Sequence, residues 1–351
     1  MTVRASGKET IKKILGQIPF TAEVYWLVRQ RGNPIQTRFS LKKLQTTLPE
    51  IVSEVNALRP IKPSGKKVFL FASLHYWIEH AALLGLALTS QGHKVTLGYL
   101  PYSDWQKPIN RFDLRRQNTY AKKVLSQADG LLEVVPFLNQ RVVYSRLPEA
   151  VMEAVRQVTV FDAQYTLQVE ETDENSEIYR MRYERNLEAA RVAYAYLQAN
   201  RPDVVIIPNG TIQELGVVYR IARHLNIPAV TYEFGDQRQR IWLAKNREVM
   251  RQETDDPWKE RQNQPLSDAQ MERLKSMFTA RQRGALWENF ARMWQGTPSL
   301  GGEKLRQELG KKSAAEQLLR EQTRQLEHQA DAVIIDARPE RRAIVVGVGR
   351  M

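Results

Sequence analysis

Residues 201–237 carry two different rhythms of apolar and polar positions. Pro202 precedes an unbroken apolar run at 204–207, which stops at Pro208, Asn209 and Gly210. A short run bounded by turn residues reads as a strand buried on both faces, the kind a parallel sheet needs. Beyond it, Ile212, Leu215, Val218, Tyr219 and Ala222 recur at helical spacing. Asn226 and Pro228 end that helix, and 229–234 reads as the next strand. The segment is one βαβ unit. Asn209 stands just past its first strand, with Glu233 and Gln237 around the end of the second. In open α/β sheets ligands bind outside the carboxyl ends of the strands, so these polar residues stand where a site is expected.

The same alternation recurs upstream. Strands are expected at 67–72, 94–99 and 131–135, joined to those at 203–207 and 229–234 by helical patterns at 77–91 and 174–200. The longer helix carries Tyr179, Tyr183, Leu187, Ala190, Tyr194 and Leu197 on one stripe. Strands alternating with helices predict a Rossmann-like parallel sheet with helices on both faces. Four regions follow: a basic helical lead-in at 1–64, the α/β domain at 65–258, a helical extension at 259–330 and a strand-like tail at 331–351. The lead-in breaks at Gly32-Asn33-Pro34 and closes at Pro60, Pro63 and Gly65. Ser267 and Gln270 fit a capping box, and a further helix is expected at 302–328. Gly347-Val348-Gly349 matches the start of a dinucleotide-type loop, but no phosphate-binding helix follows it.

Composition narrows the class. With 351 residues and 42% hydrophobic, the chain can bury a substantial core. It has no cysteine, which removes disulfides and thiolate chemistry and fits a cytoplasmic protein. Lys8, Glu9, Lys12 and Lys13 interrupt any signal-peptide core. No apolar run approaches the roughly 18 residues of a spanning helix. The net charge of +13 is concentrated: residues 1–67 hold 13 Lys and Arg against 4 Asp and Glu, a net +9. Between 11 and 28 the bases are mixed with Ile14, Leu15, Ile18, Phe20, Val24, Tyr25, Trp26 and Leu27. Such a stretch suits an anionic membrane surface, or it packs its apolar side on the next domain. Nucleic acid is not an expected partner, since zinc-finger, RNP-like and basic-zipper patterns are all missing.

The βαβ unit also resembles a family. Arg201-Pro202-Asp203, the apolar strand, the small turn, the helix ending in Leu225-Asn226-Ile227-Pro228 and the strand closing on an acidic residue resemble the acceptor half of GT-B glycosyltransferases. Within that group it most resembles bacterial enzymes of capsular and cell-surface polysaccharide synthesis. The strand from Lys66 and the segment Gly92-His93-Lys94-Val95-Thr96 look similar to the first two strands of that fold. The resemblance covers roughly residues 65–300. It implies transfer of a sugar from a nucleotide sugar to a saccharide or lipid-linked acceptor, at the cytoplasmic face of a membrane. A GT-B enzyme also needs a second Rossmann domain of about 150 residues for the donor. That domain is not expected within these residues, so it would be missing by truncation, supplied by another polypeptide, or lost with catalysis. The chain alone is then expected to show no turnover with nucleotide sugars.

Glycosyl transfer needs a group to take the acceptor hydroxyl's proton and positive charge for the leaving diphosphate. The resemblance makes Glu233 the leading acid/base candidate, although Glu233-Phe234-Gly235 replaces the family's His-Asp pattern. The alternative is a structural ion pair with Arg238. His75 is the second catalytic candidate, and Tyr76 and Trp77 after it are expected to form an aromatic wall for a sugar. His75 and His80 have the wrong spacing for a helical zinc motif, and no metal or cofactor is expected. Asn209 and Gly210 are expected to bind substrate through a tight turn whose following amides could hold an anion. Glu214 fits either that site or a capping box with Thr211. Gln237 and Arg238 open a basic segment running to Arg251, read as a helix whose arginines either meet a diphosphate or face solvent. Two other functions stay open: a non-catalytic acceptor-binding subunit that recruits a partner to the membrane, and a sugar-nucleotide epimerase-like enzyme.

Overall fold

A computed structural model describes residues 7–30, 39–60, 65–139, 146–234 and 241–282. Five parallel strands carry the fold: β1 (Lys67–Ser73), β2 (Lys94–Leu100), β3 (Leu132–Pro136), β4 (Val204–Pro208) and β5 (Ala229–Phe234). A sixth, β6 (Ile241–Lys245), completes the order β3-β2-β1-β4-β5-β6. Each predicted strand is found within one residue of its expected bounds. Their apolar side chains are buried on both faces, as in β1, where every residue after Lys67 is buried. Such a strand can be covered only by crossover helices on both sides.

Both layers are present. Gly85 of α4 (His75–Ser90) brings its backbone against Leu70, Val95 and Leu132 on one face of the sheet. Across the sheet, Phe69 meets Phe137 and Tyr196 of α7 (Glu177–Asn200), with ring centroids at 6.1 and 5.1 Å. Against α7 pack α6 (Glu149–Leu167) and α8 (Gln213–His224). The buried face of α7 matches the expected stripe in part, with Tyr179, Ala190 and Leu197 buried. Arg182, Arg185, Asn186, Ala189 and Ala193 turn inward, while Tyr183, Leu187 and Tyr194 are only partly covered.

The lead-in is helical. It consists of α1 (Gly7–Gln17), α2 (Thr21–Arg29) and α3 (Lys42–Leu58). The break expected at 32–34 lies outside the described residues. Both α1 and α2 pack on α5 (Arg111–Leu125). Trp26 is buried, near the ring of Tyr120 and Lys123's ammonium, so it is a core anchor, as the alternative of packing on the next domain expected.

Two compact units divide the chain: Met1–Glu233 with Ile241–Asp255, and Phe234–Arg240 with Asp256–Met351. In the second, α9 (Asp255–Arg261) and α10 (Asp268–Gln282) are described. The expected capping box opens α10 reciprocally, Ser267 N–H to Gln270 Oε1 and Gln270 N–H to Ser267 Oγ. The helix at 302–328 and the tail at 331–351 lie outside the described residues. No helix among the described residues is long and apolar enough to cross a membrane.

Candidate functional site

Strand order sets the position of the site. The chain runs outward through β1, β2 and β3, then crosses back to place β4 against β1. Loops leaving β1 and β4 therefore diverge, and a crevice opens at their carboxyl ends. His75 begins α4 two residues after β1 ends, Asn209 follows β4 directly, and Glu233 lies near the end of β5. The sheet brings His75, Tyr76, Asn209 and Glu233 to one rim, as their positions on the pattern implied.

Asn209 organises that rim. Its Nδ2 donates to Glu233 Oε2 at 3.2 Å, while its Oδ1 accepts from the amides of Thr211 (3.0 Å) and Ile212 (3.3 Å). The next amide, Gln213 N–H, donates to Asp162 Oδ1 at 2.8 Å. Those three amides are thus taken by protein side chains and are not offered to an anion. Gly210 is required sterically: its φ is +80°, and a Cβ would fall 2.3 Å from Thr231 Cγ2. The capping box is corrected. α8 starts at Gln213, Thr211 Oγ1 faces Glu248 at 3.5 Å, and Glu214 is buried with Oε1 lacking a partner.

Trp77 is the clearest correction. It is 4% exposed and meets Tyr232 edge to face at 5.6 Å, so its ring is core and not a wall for a sugar. Tyr76, half-buried, keeps its place on the rim. His80 joins the same packing, its Nδ1 lying 3.1 Å from Tyr232 Oη. Gln237 and Arg238 lie outside the described residues. The basic segment beyond them is not a helix: 241–245 is strand β6 and Val249–Arg251 a single 3₁₀ turn. Two of its arginines are engaged in ion pairs, Arg247 with Glu253 and Arg251 with Glu248.

Beneath the rim lies a group of charges that the sequence reading missed. Asp162 of α6, Arg182 and Arg185 of α7 and Glu214 of α8 are all buried. Arg185 secures the loop after β2, donating to the carbonyls of Asp104 (2.9 Å) and Lys107 (2.6 Å) with its guanidinium 4.5 Å from the centroid of Tyr102. Arg182 lies 5.8 Å from the Trp105 ring, and its Nε and Nη2 are buried without a protein partner. Ser73 Oγ, His75 Nδ1 and Glu214 Oε1 are likewise buried and unpartnered. Buried polar atoms are nearly always paired in native proteins, so such a concentration at one end of a sheet marks a place suited to a polar ligand. Charged residues inside otherwise apolar helical faces, Asp162 between Val158 and Ala163 and Arg182 after Tyr179, were the available signal.

Burial and charge tune the titratable groups. Burial lowers His75 below its ordinary value, so its imidazole is neutral near pH 7. Burial also raises the Tyr76 phenol, with Glu233 and Tyr165 pushing further up and Arg182 pulling back. Asp162 is pushed up to about 6 from an ordinary 3.8, chiefly by burial and secondarily by Glu214, against the opposing pull of Arg182. The native state therefore holds this proton more tightly than the unfolded chain. Its contribution to stability is complete below pH 4 and is lost as pH rises through about 6, a change of roughly 3 kcal/mol. Denaturant midpoints taken across pH 4–7 should converge or cross between wild type and Asp162→Asn in that window; a constant difference would show that Asp162 does not titrate there.

A depression of about 540 Å³ lies at the opposite, amino end of the strands, lined by residues including Arg59, His93, Lys94, Gly130 and Leu132. Arg59 donates to the Gly130 carbonyl and His93 Nδ1 accepts from the Lys66 amide, and its charged residues, Arg59, Lys94, Lys122, Asp129 and Glu133, are exposed, unlike the buried charges beneath the carboxyl rim. No protein-family model matches the chain, and no curated protein matches it.

Proposed function

We propose that this chain is the acceptor-side domain of a GT-B-like glycosyltransferase of cell-surface polysaccharide synthesis, and that its rim takes a saccharide or lipid-linked saccharide acceptor. The observation that carries this reading is the Asn209–Glu233 pair, set beside Tyr76 at the point where the sheet order reverses. Sugars present adjacent hydroxyls that both donate and accept. Carboxylate and amide side chains offer two atoms in one plane and suit such pairs, while an aromatic ring covers the apolar C–H face.

In transfer, Glu233 takes the proton of the acceptor hydroxyl as its oxygen bonds to the anomeric carbon. The bond from that carbon to the diphosphate breaks, and the negative charge leaves with the diphosphate. Asn209 acts as a positioning residue, holding Glu233 through its Oε2. His75, kept neutral by burial, supplies a second acceptor beside Tyr76. Neutralising the leaving diphosphate falls to cationic groups on a donor-binding domain.

Titration calorimetry tests the ligand class. Oligosaccharides are expected to bind the full chain, and Tyr76→Ala to weaken them about tenfold while leaving the unfolding midpoint within a few degrees. Binding of nucleotide sugars alone, with no response to any saccharide, would instead favour a nucleotide-binding enzyme.

A further inference from the structure

The hairpin of α1 and α2 is built inside out. Two of its charged side chains face the protein: Lys12 pairs with Asp113 at 2.8 Å, and Arg115 grips both oxygens of Glu23 while donating to the carbonyls of Gly16 and Ile18. Gly16 sits against the backbone of Phe112, and Ala22 and Trp26 are buried. Its aliphatic side chains face outward. Ile11 and Ile14 on α1 and Ile18 just past its end are exposed, as are Val24, Leu27 and Val28 on α2, with Val28 68% exposed. Water gives no reason to keep such residues on one surface, and apolar patches of this extent mark interaction sites.

Phe20, at the vertex between the two helices, adds an independent sign. It is 75% exposed and held in the left-handed region, with φ 63° and ψ −10°. A bulky aromatic residue is strained there, whereas glycine would not be. Strain retained at a largely exposed side chain points to a use for that side chain.

We propose that this hairpin docks the protein on an anionic lipid bilayer, with Phe20 and the exposed aliphatic residues on either side entering the headgroup boundary. Charge selects this partner. The hairpin's exposed charges among the described side chains are Lys13 and Arg29, both basic, while Glu23 is bonded inward. Residues 1–67 carry a net +9, so a second copy docking face to face would bring like charges together, whereas an anionic surface attracts them. Buried Trp26 plays no part in the contact.

The test is co-sedimentation of the full chain with vesicles of phosphatidylcholine alone and of phosphatidylcholine with phosphatidylglycerol. Binding is expected to the anionic vesicles, weaker by about tenfold at about 0.5 M salt. A Phe20→Ser, Leu27→Ser double variant should bind about tenfold more weakly than wild type. Phe20→Gly keeps the fold testable, because it relieves strain: its melting temperature should hold or rise while vesicle binding falls. Failure to sediment, or equal binding to neutral and anionic vesicles, overturns the proposal. So does a concentration-dependent dimer abolished by the double variant without vesicle binding, since the occupant would then be a second copy.

Discussion

Trp77→Ala is expected to cost about 3–5 kcal/mol of folding stability, the range for deleting a large aromatic side chain from a packed core. Trp77 packs edge to face on Tyr232, whose ring also lies 5.2 Å from His80 and whose hydroxyl bonds it. Removing the indole leaves a cavity under the rim and loosens the contact that ties the first turns of α4 to β5. Urea unfolding followed by circular dichroism measures the loss. A cost below about 1 kcal/mol, accompanied by lost saccharide binding, would restore Trp77 as a ligand wall and contradict its placement in the core.

The contrast between Trp77 and its neighbour shows where sequence reading reaches its limit. The strands were legible because a parallel sheet demands apolar runs of a fixed length, and 204–207 or 229–234 permit little else. Those runs also gave the rim, since residues just past them must lie at the carboxyl ends of the strands. Which of two adjacent aromatic residues faces the crevice was not legible. Tyr76 and Trp77 differ by about 100° around the helix, and only the position of α4 on the sheet decides between them. The conformation of Leu74, with φ 68° in the turn before α4, was hidden as well, because nothing in a leucine announces a left-handed backbone. The Asp162–Gln213 bond spans 51 residues, so no local pattern could reveal it. It displaced a locally plausible capping box because a buried carboxylate from α6 reaches the start of α8 first. On α7 the expected stripe found Tyr179, Ala190 and Leu197 but not Arg182, Arg185 and Asn186, because a pattern of apolar positions cannot mark buried polar residues. The basic segment before Arg251 failed for a different reason. Ile241 to Lys245 joins the sheet edge beyond β5, so tertiary pairing overrode its helical spacing.

Glu233→Gln is expected to lower the rate of sugar transfer by about 10²- to 10⁴-fold, the usual worth of a positioned general base. The assay joins the full chain to a nucleotide-sugar-binding domain and saturates it with acceptor. Glutamine preserves the shape and keeps an oxygen to accept from Asn209 Nδ2, so the rim should hold its geometry. What it loses is the capacity to take a proton. The effect should therefore fall on kcat, with the acceptor KM within a few fold of wild type. Asn209→Ala should shift both, because it removes the contact to Oε2 that helps to set the position of Glu233. Equal kcat for wild type and Glu233→Gln would remove the base from Glu233 and leave His75 as the candidate.

A saccharide is proposed to bind at the carboxyl rim of this sheet. Amide spectra of the isotopically labelled full chain, recorded while oligosaccharides are added, test it most directly. Shifts are expected to concentrate at residues 74–77, 209–214 and 232–233, and to vanish in Tyr76→Ala. Shifts that gather instead around Arg59, His93 and Gly130 at the amino end of the strands, or none with any saccharide, would contradict it.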